Sequence, residues 1–267
     1  MKKLLLAFAA AAVFFAGADE EYEFDKIADW LPTKGVTQKG GNLVVKNQVM
    51  LRSKKMFDIQ SGKVYKLEFE AKRLEGKAPL IFAGFELFRE NGKTPVSSEH
   101  VNGSAATFCT VVKDVKKGDT VVYLDANAGK WRKISNSYLA PGAKKDFSDL
   151  PNYRILYFPV KEIEKCPEGY KFTLLRPIAG PVAKGTAVRQ HISGGYMYAA
   201  GYKALKGDDF VKFQGVVKDI LPAGPGYPSN KWTSYASKAR IIILVNWGRE
   251  PGVTELKDIE LEIDNKK

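Results

Sequence analysis

Polar and apolar residues alternate with a period of two over two long stretches of this chain. Tyr65, Leu67, Phe69 and Ala71 interleave with Lys66, Glu68, Glu70 and Lys72. Near the end, Ile259, Leu261 and Ile263 interleave with Asp258, Glu260 and Glu262. Successive side chains of a strand point to opposite faces, so both stretches predict strands with one face buried. Other runs are apolar almost without interruption, at residues 80–88, 120–124, 155–158 and 241–245, and these predict central strands covered on both faces. Turn signals separate them, such as Asn91-Gly92, Lys117-Gly118-Asp119 and Lys206-Gly207-Asp208. No helical periodicity appears beyond a turn or two between residues 25 and 31. Many strands joined by Gly- and Pro-rich turns predict an all-β sandwich of two antiparallel sheets. Two long loops, 125–152 and 221–239, carry aromatics among turn residues, the first with Trp131, Tyr138 and Phe147 and the second with Trp232 and Tyr235.

The N-terminus follows a different pattern. Lys2 and Lys3 precede an apolar run over residues 4–15, which closes on Ala16-Gly17-Ala18 before the acidic Asp19-Glu20-Glu21. A charged end, a short apolar core and a small-x-small site predict a signal peptide over residues 1–18, and so a secreted or periplasmic protein. The run is too short to span a bilayer comfortably, and no later stretch approaches that length. Residues 19–267 then form a single β-sandwich domain with an elaborated middle segment. The formal net charge of +12 is dispersed rather than clustered. Outside the cell it favours an acidic partner such as a uronic or sulfated glycan, and export argues against nucleic acid. Cys109 and Cys166 are the two cysteines, and an exported chain can hold them as a disulfide; two buried thiols are the alternative.

Residues 57–72, with Gly62-Lys63-Val64-Tyr65 leading into Leu67, Phe69 and Ala71, resemble the early strand of the CenC-type jelly-roll carbohydrate-binding modules. Residues 255–263 resemble the closing strand of those modules and residues 240–246 their penultimate one, while the middle, from about residue 79 to 181, does not match. The resemblance implies a jelly-roll fold and a carbohydrate partner. It also implies a structural calcium where the last strand passes the first, with Asp258 as one carboxylate and Glu21 or Glu23 as its companion. No other cofactor is required.

The densest cluster of chemistry is residues 185–201. Residues 187–193 read as a strand, Gly194-Gly195 as a two-residue turn and residues 196–200 as the returning strand. In that register Val188, Ile192 and Met197 share the apolar face, Gln190 points to the same side, and Arg189, His191, Tyr196 and Tyr198 share the other. Aromatic rings stack on the apolar faces of sugars, and an arginine can take a carboxylate or sulfate in bidentate fashion. Trp131 and Tyr138 would extend this platform, with Trp232 and Trp247 as secondary candidates and Trp30 read as core.

The expected function is therefore polysaccharide or cell-surface glycan binding without catalysis. A β-sandwich lyase acting on a uronate glycan is the alternative, since His191 and Tyr198 as neighbours beside Arg189 would satisfy the minimum for proton abstraction. A structural or adhesive surface protein is a third reading. Hydrolase elbows, zinc-protease helices and phosphate loops are absent from the sequence. His100 lies in a Ser- and Asn-rich loop and reads as solvated.

Overall fold

The computed structural model describes residues 20–248 and 251–266. The expected signal peptide lies outside the described residues. Seven strands come first: β1 (Glu20–Glu23), β2 (Val36–Lys39), β3 (Asn42–Lys46), β4 (Val49–Arg52), β5 (Phe57–Asp58), β6 (Lys63–Glu75) and β7 (Leu80–Phe88). An insert follows, with one helical turn, α1 (Ser98–Val101), and seven strands: β8 (Cys109–Thr110), β9 (Val121–Leu124), β10 (Ser137–Pro141), β11 (Leu156–Tyr157), β12 (Val160–Cys166), β13 (Gly169–Leu174) and β14 (Ala187–Ile192). The chain then returns through β15 (Tyr202–Ala204), β16 (Val211–Lys218), β17 (Lys238–Val245) and β18 (Val253–Asn265).

The expected all-β sandwich is present. One sheet has the order β16-β6-β18-β3-β2, with β1 on β18; the other has the order β15-β7-β17-β4, with β5 on β17. Every pairing between these strands is antiparallel. The alternation in β6 does what period two requires: Tyr65, Leu67, Phe69 and Ala71 are buried. Its outward charges form cross-strand pairs, Lys66 with Glu262 and Lys72 with Glu255. In β18 the same alternation is interrupted once. Leu256 and Ile259, three apart, both face the core because a bulge between Lys257 and Glu260 puts Asp258 at φ 51° and resets the register.

The apolar β17 is buried on both faces, as its composition predicts. Ile241, Ile243 and Val245 enter the sandwich core, while Ile242 and Leu244 face outward and are still covered. Trp232 closes the core, edge-on to Tyr65 with ring centroids 5.0 Å apart and 5.2 Å from Phe85.

The middle segment is more than an elaborated loop. It forms two further antiparallel sheets, β11-β10-β14-β8 and β12-β13-β9, around a second apolar core that includes Trp131, Leu139, Phe158, Phe172 and Val188. The expected disulfide is not formed. Cys109 is buried in this second core and Cys166 lies at the β12–β13 turn, both as free thiols. Among the described residues no helix is long and apolar enough to cross a membrane.

Candidate functional site

The expected hairpin does not form. β14 pairs with β10 on one side and β8 on the other, so both of its edges are taken before residues 196–200 arrive. The Gly194-Gly195 segment is instead a crossover, tied to α1 by the Gly194 N–H donating to Ser98 Oγ at 2.7 Å. The chain then meets the edge of β7, where Phe85 and Met197 exchange backbone hydrogen bonds. Gly84 makes this approach possible, since a Cβ there would lie 1.9 Å from the Met197 carbonyl oxygen. Val188 and Met197, expected on one apolar face, end in different cores.

Arg189 and His191 do share a strand face, but it is covered. Both are 0 % exposed, which removes them from any open glycan platform. Their neighbour across the sheet is Tyr138, paired with His191, rather than Tyr198. Arg189 donates to Asp149 Oδ2 at 2.8 Å, to the Lys144 carbonyl at 3.0 Å and, through Nε, to His191 Nε2 at 3.2 Å. His191 Nδ1 lies 2.7 Å from the Glu99 carbonyl oxygen. A carbonyl only accepts and an arginine only donates, so the imidazole is neutral with its proton on Nδ1. Burial, with the Arg189 charge adding to it, pushes His191 down to about 4. Its remaining lone pair is occupied, and it has no free nitrogen to serve as a base. Gly103 covers the pair, where a Cβ would fall 2.6 Å from both Arg189 Nε and His191 Nε2. Gln190 points the other way, as expected, and spans the Arg132 backbone and Ser137.

Trp131 is likewise core rather than platform: it is 5 % exposed, its Nε1–H donates to the Thr107 carbonyl, and its ring meets Phe158 and Phe172 edge-on. Trp232 is fully buried and Trp30 is core. Tyr138 is half-buried, with its ring 5.5 Å from that of Tyr157. His100, expected in solvent, is half-buried against Tyr153.

Tyr196 and Tyr198 come to a different place, the outer face of the β15-β7-β17-β4 sheet. There the Tyr198 ring lies 5.0 Å from Phe82, and Phe82 stacks at 5.3 Å and 26° on Tyr202, its cross-strand partner. Tyr196 stands edge-on to Tyr198 at 6.3 Å. Tyr202 is 68 % exposed, a large ring held flat in water. Beside this row Glu86 accepts from Arg52 Nε at 3.1 Å and from Arg240 Nε at 2.7 Å. Arg52 Nη2 donates to the Tyr196 hydroxyl at 3.1 Å. Two guanidiniums share one carboxylate, which leaves these three side chains one surplus positive charge. Burial raises Tyr198 above the usual phenol range, so it stays a neutral hydroxyl.

Phe82, Tyr202, Arg52, Glu86 and Arg240 are not evident from sequence. The one available signal is a charge inside an apolar strand, Glu86 within residues 80–88, at an outward position opposite Arg240.

At the crossing of β1 and β18, Glu23 lies opposite Glu260, and Asp258 sits at the bulge with Oδ2 accepting from Lys257 Nζ at 2.8 Å. Asp25 receives the Ile259 N–H, and burial followed by the nearby Asp258, Glu23 and Asp29 raises its carboxyl. Among the described residues no group of three or more His, Cys, Asp and Glu side chains is gathered closely enough to hold a metal ion.

No family model matches this chain, and no curated protein and no solved structure matches it.

Proposed function

We propose that this is an exported polysaccharide-binding protein that holds its ligand on the outer face of the β15-β7-β17-β4 sheet. The observation that carries the reading is Tyr202, stacked on Phe82 with most of its ring in water. An exposed aromatic on a rigid strand loses little side-chain freedom on binding and offers an apolar face to a sugar ring. Tyr198 and Tyr196 continue the row. Arg52, Arg240 and Glu86 supply fixed donors and an acceptor beside the row, and the surplus guanidinium favours glycans bearing carboxylate or sulfate. The charged N-terminus with its short apolar run supports export, and the early and closing strands support kinship with jelly-roll binding modules. Affinity electrophoresis through gels containing neutral, uronic or sulfated polysaccharides tests it. Retardation is expected most strongly in an acidic polysaccharide, without ultraviolet-absorbing products, and absence of retardation in every gel removes the reading.

A further inference from the structure

The insert carries a cleft of about 630 Å³ that the sheet face does not use. Its aromatic lining residues are Phe108 and Phe147; Ala105 and Ala106, Cys109 and Thr110 of β8, Asn127, Lys145 and the Arg189 side chain line the rest. Phe147 has φ 60°, a left-handed conformation that a bulky residue rarely adopts. Its surroundings hold it there: its N–H donates to the Lys144 carbonyl, its own carbonyl accepts from Leu150, and its ring packs 4.4 Å from the Arg189 guanidinium. The Arg189–Asp149 pair thus serves as the backing that fixes Phe147 in place.

The charged residues among the cleft lining are both cations, Lys145 and Arg189, and Arg189 is already paired with Asp149. Lys145 Nζ lies 5.7 Å from the Phe108 ring centroid and has no carboxylate partner among the described residues. Asp149 is spent on Arg189, and Asp125, which neighbours Cys109, turns Oδ1 onto the Asn127 N–H at 2.8 Å. Burial pushes the Cys109 thiol up to about 12, so it adds no negative charge. The volume is that of a small-molecule site, and the lining combines apolar surface with a few polar groups, as such sites do.

We propose that this cleft is a second binding site, for a single carboxylate-bearing sugar unit. Phe108 and Phe147 hold the ring, Lys145 takes the carboxylate, and Asn127 and Thr110 meet the hydroxyls. The test is a titration of the ¹⁵N-labelled protein with sodium glucuronate, following the amides of Ala105, Ala106, Thr110 and Asn127. Saturable shifts confined to these amides are expected, with glucose at least tenfold weaker. Lys145→Glu weakens glucuronate at least tenfold while Lys145→Arg retains it. Phe147→Gly, which relieves the positive φ and so keeps the fold, also weakens binding. Equal affinity for glucose, equal shifts from sodium acetate, indifference to Lys145→Glu, or no shifts at all would overturn the proposal. Tyr202→Ala leaves this titration unchanged, so failure here and failure of the sheet-face reading are separate results.

Discussion

Arg189 donates its Nε–H to His191 Nε2 across 3.2 Å, and the arginine is itself anchored on Asp149. The contact fixes one tautomer, with the proton on Nδ1, and excludes a second proton from Nε2. With the folded value about 4 and the ordinary value 6.5, the unfolded chain binds the extra proton first as pH falls. Stability from this group is therefore full above pH 6.5 and is lost as pH falls toward 4, by about 3 kcal/mol at the lower end. Urea denaturation between pH 7 and 4 should show that loss, and an NMR titration of His191 should give a midpoint near 4. A midpoint near 6.5 would contradict the buried pairing.

Asp149→Asn should destabilise the protein by about 3 kcal/mol, because it leaves the Arg189 charge buried without a partner. Adding Arg189→Met should restore part of that loss, read as a favourable coupling in a double-mutant cycle. Additive losses would mean the two side chains act independently.

The fold was legible in the sequence where a strand has one wet face. β6 and β18 declare themselves by alternation, and β17 by its unbroken apolar run. The hairpin expected at 187–200 does not form for a tertiary reason. Gly194-Gly195 suits a tight turn, and Gly195 does take a positive φ, but β10 and β8 compete for the edges of β14 and win them. Local chemistry also placed Arg189 and His191 on one face correctly. Nothing local reveals that residues 98–107 and 144–153 cover that face, since those contacts span 40 to 92 positions. Tyr202, in a three-residue strand, gives no periodic signal at all.

Two of the three buried tryptophans, Trp131 and Trp232, should respond differently to loss of the indole nitrogen. Trp232 Nε1 has no hydrogen-bond partner among the described residues, whereas Trp131 Nε1 donates to the Thr107 carbonyl at 2.7 Å. Trp131→Phe should therefore cost about 1 kcal/mol more than Trp232→Phe by urea denaturation, the extra being the orphaned carbonyl. An equal or reversed cost would show that the Thr107 contact contributes nothing.

Both cysteines should react with a thiol reagent in denaturant, and only the half-exposed Cys166 should react quickly in the native protein. A reducing agent should leave the melting temperature unchanged. A drop on reduction would mean the thiols are joined after all.

Polysaccharide binding on this face depends on Tyr202, and the most direct test compares native protein and Tyr202→Ala by affinity electrophoresis in acidic polysaccharide, with a thermal melt of each. Because the ring is 68 % exposed, the melt should hardly move, while retardation should weaken at least tenfold, the ~1.4 kcal/mol expected of one stacking ring. Unchanged retardation with an unchanged melt would show that polysaccharide is not held on this face.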